Sequence, residues 1–260
     1  MFGWKRVERF SRHGPMTEAE RYSFDLNGFL VRRGALPAEE IEALQTAIGR
    51  FNVPPPGGDL SSQRFNRYLT ADASFRSLMD HNAALDVILE LVGPTARLDH
   101  AYGIIMAPGT DGLGLHGGGT PHDPAQYYAV RDGSMYNGLI AVQWALVDHA
   151  PGNGGFRCVP GSHKANFDLP DDIDEDLVVD IALSAGDVVF FTEALTHGTS
   201  TWRASYNRLA LFYKYAPGHL AWGRFENEQE LASSALRALC TPRQQRFLQP
   251  PGVYPHEPIK

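Results

Sequence analysis

The chain has 260 residues, with 26 Gly and 18 Pro, 43% hydrophobic and 20% charged, which is enough apolar material for one sizeable core or two small ones and excludes disorder, collagen and coiled coil. Its 23 Lys+Arg against 30 Asp+Glu give a net charge of -7, and with no basic run this argues against a nucleic-acid polymer as partner. No segment reaches the roughly 18–20 consecutive apolar residues that cross a bilayer, and Met1-Phe-Gly-Trp-Lys-Arg6 has no apolar signal core behind it, so the expectation is a soluble cytoplasmic protein with no membrane partner.

Thr17-Glu-Ala-Glu20 has capping-box spacing and leads into a short helix stopped by Asn27-Gly28, with a brief strand, Phe29 to Arg32, after it. Beyond Pro37 the apolar residues Ile41, Leu44, Ile48 and Phe51 follow helical spacing, up to a loop at Pro54-Pro55-Pro56-Gly57-Gly58. Further helices are expected over Ala73 to His81 and Ala83 to Val92. From Arg97 to Pro217 the character changes to short apolar or alternating segments punctuated by Gly, Pro, Asn and Asp, as in a compact antiparallel β domain. Strands are expected over Leu98 to Met106, Gly138 to Val147, Gly155 to Val159, Leu177 to Leu183, Asp187 to Glu193 and Arg208 to Tyr215. The Gly-rich stretch Gly112 to Gly133 reads as a long loop rimming a site. A helical tail, Glu228 to Leu248, is interrupted at Thr241-Pro242. With no repeat or linker, the economical reading is one domain over residues 1–260. It is a mainly β, jelly-roll-like barrel (about 95–217) flanked by a helical N-terminal part (about 17–93) and a helical tail (about 225–248).

Cys158 and Cys240 are too few for a disulfide framework or a thiolate zinc cluster, so a metal here must be held by His and carboxylate. Among 10 histidines, His116 in Leu115-His-Gly-Gly-Gly-Thr120 and His197 in Glu193-Ala-Leu-Thr-His197 sit at strand-to-loop junctions. Eleven residues after His197, Arg208 opens a strand whose alternation puts Arg208, Ala210, Phe212 and Lys214 on one face, and an Arg facing into a barrel needs an anion. Of the neighbours Gln143 and Trp144 one faces inward, and periodicity does not say which. The run Gly117-Gly118-Gly119 lacks the Lys-Ser/Thr and the strand-to-helix context of a phosphate loop.

The order His116, His197, Arg208 resembles the phytanoyl-CoA dioxygenase-like family of iron(II)/2-oxoglutarate oxygenases. Supporting matches are Asp25-Leu-Asn-Gly-Phe-Leu-Val-Arg32, Trp144-Ala-Leu-Val-Asp148, Gly154-Gly-Phe-Arg-Cys-Val-Pro-Gly-Ser-His-Lys164 and Ala185-Gly-Asp-Val-Val-Phe-Phe191, spanning roughly Thr17 to Gly218. The resemblance implies a double-stranded β-helix fold, iron held by His116 and His197, and 2-oxoglutarate gripped by Arg208, with Gln143 and Thr199 as further cofactor-binding residues. It also implies dioxygen as oxidant and succinate as co-product.

The family pattern is His-x-Asp, whereas here the third position is Gly118. Halogenating members of the wider superfamily lack the carboxylate there and use chloride, so the reading leans to halogenation of a small, free or carrier-bound substrate. The alternative is a hydroxylase whose third ligand is Glu193 or, less strongly, Asp123. Glu193 has three open fates: iron, a substrate donor, or a structural ion pair with Lys214. A non-catalytic jelly-roll binding protein is the rival from another class. His163 and His149 read as loop and turn chemistry, and His122 belongs to the covering loop. Arg157, Lys164, Arg203 and Lys214 are candidate contacts for an anionic substrate.

Overall fold

The computed structural model describes residues 14–51, 62–222, 230–253 and 258–260. Thr17 and Glu20 cap the first helix reciprocally. Thr17 Oγ1 accepts from the Glu20 N–H at 3.2 Å, and the Glu20 carboxylate accepts from the Thr17 N–H at 2.7 Å. Helix α1 (Glu18–Asn27) therefore starts where the spacing predicts, and Gly28, at φ 79°, ends it in a conformation that costs a glycine nothing. Glu20 also pairs at 3.0 Å with Arg32, the last residue of β1 (Phe29–Arg32), with both side chains fully buried. Losing one partner of such a pair costs about 3–5 kcal/mol, so this contact fixes the helix against the strand.

Helices α2 (Ala38–Arg50), α3 (Ala73–Ser77) and α4 (Asn82–Val92) follow, with α3 running on as a single 3-10 turn over Leu78–Asp80. The expected Pro-Gly loop at 54–58 lies outside the described residues. Strands β3 (Arg97–Met106), β6 (Ile140–Ala145), β7 (Gly155–Cys158), β9 (Val188–Thr192) and β11 (Arg208–Ala216) fall within two residues of the expected ranges.

Two expectations need correction, and two strands, one over Gln63–Asn66 and one over His197–Ser200, were not expected. β2 (Gln63–Asn66) is a strand of polar composition, its Gln63 and Phe65 buried and its Arg64 and Asn66 exposed. The loop Gly112 to Gly133 contains β4 (Tyr128–Arg131), which forms a hairpin with β5 (Ser134–Asn137) across Asp132-Gly133. Both turn residues have positive φ, 52° and 74°, as a two-residue hairpin of this type requires. The expected strand Leu177 to Leu183 shrinks to β8 (Val179–Asp180) behind a 3-10 turn. Finally, Glu193 to Thr196 form a turn, so β10 (His197–Ser200) is a new strand and not a continuation of β9. In the tail, Thr241 restarts the chain as a capping box with Gln244, which separates α5 (Ser234–Leu239) from α6 (Pro242–Phe247). The stretch 223–229, where the helical tail was expected to begin, lies outside the described residues.

Every strand pair is antiparallel. A six-stranded sheet, β1-β9-β6-β11-β3-β2, opposes a three-stranded one, β10-β7-β8, giving a jelly-roll core with helices outside. Leu211, Tyr213, Tyr215, Trp144, Val188 and Phe190 point to the helix side and join the large core. Ala141, Val189 and Phe191 point the other way, toward Phe156 and Leu195. The space between the sheets holds the site. Both cysteines are buried free thiols, and among the described residues no helix is long and apolar enough to cross a membrane.

Candidate active site

Because Leu211, Tyr213 and Tyr215 belong to the helix-side core, alternation turns Arg208, Phe212 and Lys214 into the barrel. Phe212 lies opposite Gln143 on one neighbouring strand and Tyr102 on the other, which settles the open choice on β6: Gln143 faces the interior and Trp144 the core. Arg208, Gln143, Thr199, Glu193, His116 and His197 all line one cavity of about 350 Å³.

The two histidines meet across a pair of backbone hydrogen bonds, each N–H donating to the other's carbonyl at 2.9 Å. Their ring centroids lie 4.3 Å apart. His116 Nδ1 donates to the Gly114 carbonyl at 2.9 Å and His197 Nδ1 to the Leu195 carbonyl at 2.7 Å. A carbonyl only accepts, so both rings carry their proton on Nδ1 and keep the Nε2 lone pair for a ligand. Burial pushes the His197 pKa down to about 4, against the pull of Glu193, so this imidazole is neutral, as a metal ligand must be.

Gly117 makes the meeting possible. At φ 78° a side chain there would be strained, and its Cβ would stand 2.7 Å from the Leu195 carbonyl oxygen and 2.8 Å from that of Glu193.

Glu193 is buried and ion-paired with Lys214, and its Oε1 stands 4.0 Å from His197 Nε2. Burial alone would raise its pKa, but the Lys214 ammonium outweighs it and holds it down at about 2. Burial likewise works against the Lys214 ammonium, yet Glu193 outweighs it and the net shift is upward. Among the described residues, no three His, Cys, Asp or Glu side chains are already gathered as a metal cage. The donors in place are the two imidazoles, with the Glu193 carboxylate adjacent.

Arg208 is 1% exposed and has no carboxylate partner among the described residues. Its Nη1 meets only the Met106 sulfur at 3.3 Å, while Nε and Nη2 are buried without a hydrogen bond. Burial lowers its pKa to about 10, which leaves it cationic at neutral pH. Both polar atoms of the Gln143 amide are similarly unpaired. Buried polar groups are nearly always satisfied, so a cation and an amide without partners in one cavity fit a carboxylate ligand.

Other sequence candidates stand elsewhere. Asp123 caps its own turn, accepting from the Ala125 N–H at 2.7 Å, and with His122 and Gly118 it lines a neighbouring cavity that includes neither His116 nor His197. His163 Nε2 bonds the Asp25 carbonyl at 3.1 Å. His149 is not a turn residue by its side chain: the ring is fully buried against Trp202, 5.2 Å between centroids. Arg157 pairs with Glu175 at 2.6 Å and Lys164 with Asp25 at 3.2 Å; neither they nor Arg203 line the cavity, whereas Lys214 does. The sequence reading passed over Arg64, Asp99, His100, Tyr102 and Trp222, which form the opposite end of the site. The available signal was that His100 and Tyr102 share a strand face with Met106, the residue opposite Arg208.

Residues 24–210 match the sequence profile of the phytanoyl-CoA dioxygenase (PhyH) family. The chain is 28% identical to dioxygenase af480 of Aspergillus fumigatus over 152 residues, 57% of this chain and 47% of that protein. It is 22% identical to the ectoine dioxygenase of Sphingopyxis alaskensis over 181 residues, 63% of this chain and 56% of that one. It thus spans about half the length of the curated relatives it matches. Among solved structures, HygX from Streptomyces hygroscopicus with nickel and 2-oxoglutarate bound superposes with a TM-score of 0.74 at 26% identity, over 85% of this chain and 94% of that one. HygX has also been crystallised with hygromycin B.

Proposed function

Since the chain belongs to the phytanoyl-CoA dioxygenase family, we propose that it is an iron(II)- and 2-oxoglutarate-dependent oxygenase acting on a C–H bond of a small molecule. The observation that carries this is Arg208, a buried guanidinium without a carboxylate partner among the described residues, in the cavity that also holds two histidines whose Nδ1–H groups are tied to backbone carbonyls. A non-catalytic binding protein has no need to combine the two. HygX, one of the solved structures this chain resembles, has been crystallised with nickel and 2-oxoglutarate bound.

In this reading His116 and His197 hold iron through Nε2, and their Nδ1–H bonds to the Gly114 and Leu195 carbonyls fix ring orientation. Arg208 grips the far carboxylate of 2-oxoglutarate with its planar fork, and Gln143 and Thr199 flank it. When bound, iron(II) with 2-oxoglutarate and dioxygen would supply the oxidising power, 2-oxoglutarate being converted to succinate and carbon dioxide. The chain's share is orientation and exclusion of water: the apolar Phe156, Phe191 and Phe212 wall the cavity between its polar ends.

For the third metal position, the proximity of Glu193 to His197 Nε2 favours the carboxylate. Two histidines and one carboxylate form the donor set suited to iron(II) oxygenases, and the expected outcome is then hydroxylation-type oxygen chemistry. Halogenation, with chloride in the place of a carboxylate, is the second reading and rests on Gly118 having no side chain. Gly118 has φ 108°, so an aspartate there is strained, and its Cβ would lie 3.1 Å from Thr196 Oγ1. Gly118→Asp should therefore lower unfolding stability by about 1–3 kcal/mol, read as a shift in denaturant midpoint. An aspartate accepted there without loss would mean that the backbone can relax to the family's usual motif.

The direct test is calorimetry of 2-oxoglutarate on nickel(II)-loaded protein, followed by succinate assay with iron(II) in air. Saturable binding and iron-dependent succinate are expected. Absence of both would sink the oxygenase reading in favour of the binding protein.

A further inference from the structure

The cavity has a second polar end that the iron and 2-oxoglutarate residues leave unused. Asp99 accepts from His100 Nδ1 at 2.7 Å, and is itself held by Arg97 Nη1 at 2.8 Å and by the Trp222 backbone N–H at 2.9 Å. The imidazole is clamped between two nearly parallel rings, Tyr102 at 5.8 Å and Trp222 at 5.4 Å, and Tyr102 stacks in turn on Phe212 at 4.8 Å. A carboxylate only accepts, so His100 carries its proton on Nδ1 and its Nε2 is an acceptor. His100 and Tyr102 line the cavity, yet no described group bonds His100 Nε2 or the Tyr102 hydroxyl. Two polar groups with unused capacity, on the wall of a cavity that reaches His116 and His197, offer an acceptor to a ligand that donates a hydrogen bond.

The field around them selects which donor. The Arg64 guanidinium lies 3.6 Å from the Tyr102 ring centroid and Lys214 Nζ 5.9 Å from it. Burial lowers the His100 pKa, Asp99 opposes this, and Lys214 and Arg64 lower it further, so the ring stays a neutral acceptor in a positive surrounding. An ammonium donor is repelled there; a hydroxyl is not.

We propose that His100 and Tyr102 form the substrate subsite of this enzyme, and that it takes a neutral or anionic hydroxylated small molecule whose hydroxyl donates to His100 Nε2. The inference rests on the oxygenase reading and deepens it, because it assigns the substrate end of the same cavity. Asp99 is then a positioning residue, which fixes the tautomer and the ring.

Three probes on one scaffold test this: methyl glucoside, glucuronate and glucosamine, each titrated calorimetrically into protein loaded with nickel(II) and 2-oxoglutarate. Methyl glucoside or glucuronate is expected to bind, with glucosamine at least about 10-fold weaker. His100→Phe keeps a stacked ring but removes the acceptor, and should weaken the binding probe about 10-fold or more. His100→Gln, whose amide oxygen reaches toward the Nε2 position, should stay within a few-fold of wild type, and 2-oxoglutarate affinity should be unchanged in both. Tyr102→Phe provides a second readout that leaves the Asp99–His100 contact intact. Glucosamine as the tightest probe, no probe binding, or unaltered affinity in His100→Phe would each overturn the subsite. Failure of 2-oxoglutarate itself to bind the wild type overturns the oxygenase reading instead, so the two failures are distinct.

Discussion

Arg208→Ala is expected to weaken 2-oxoglutarate binding by roughly 30-fold to several thousand-fold, equivalent to the 2–5 kcal/mol that truncating one partner of a buried, hydrogen-bonded charge pair costs. The same change should not destabilise the protein in the absence of 2-oxoglutarate. There the guanidinium is buried with two unpaired nitrogens and only a sulfur contact, so its desolvation opposes folding. Arg208→Met, which keeps much of the volume, should leave the ligand-free melting temperature equal or higher. This opposition of signs, weaker ligand and undiminished fold, separates a ligand-binding arginine from a structural one. Arg208→Lys should recover only part of the affinity, since an ammonium cannot make the two parallel bonds of the fork. Calorimetric titration on nickel(II)-loaded protein measures all three variants, and an unchanged 2-oxoglutarate affinity in Arg208→Ala would remove the main support for the function.

What the sequence made legible follows from which physical signals survive in one dimension. Turn and cap chemistry is local, so the Thr17–Glu20 box and the Gly28 stop were readable residue by residue. Strand positions along the barrel were readable too, but faces were not. All six residues of β6 are buried because helices cover one side of the sheet and the second sheet the other, so no polar alternation marks the inside. Gln143 and Trp144 could be assigned only once Phe212 was seen opposite Gln143. The same cause hid His100 and Tyr102, which look like ordinary members of a buried strand until Asp99 and Trp222 are brought around them. The hairpin β4–β5 is a different case. Its Asp132-Gly133 turn is a strong local signal, overlooked inside a stretch that the glycines at 112–119 made look like uniform loop. The Glu193–Lys214 pair was foreseen as one of three fates, and the oxygen that takes Lys214, Oε1, is also the one that stands 4.0 Å from His197 Nε2, so a metal role for Glu193 competes with the ion pair.

That ambiguity sets the last prediction. His116→Ala and His197→Ala should each abolish iron-dependent succinate formation while the protein stays folded, because each ring is a cavity wall residue and their loss leaves the sheets intact. Glu193 needs a cycle of variants rather than one substitution. Glu193→Ala strands a buried Lys214 and should cost about 3–5 kcal/mol of stability, so loss of iron in that variant alone proves little. Removing both charges in Glu193→Leu/Lys214→Met should restore much of the stability. If Glu193 ligates, the double variant still binds iron(II) at least about 100-fold more weakly than wild type, since even outer-shell losses cost 10–100-fold. Lys214→Met alone should then bind iron at least as well as wild type, its carboxylate being released from competition. Chloride should change neither iron nor 2-oxoglutarate affinity, and product mass spectra should show no halogen isotope pattern. If instead the double variant binds iron stoichiometrically and turnover tracks chloride, Glu193 is only the counter-ion of Lys214, and the vacancy created by Gly118 decides the reaction in favour of halogenation.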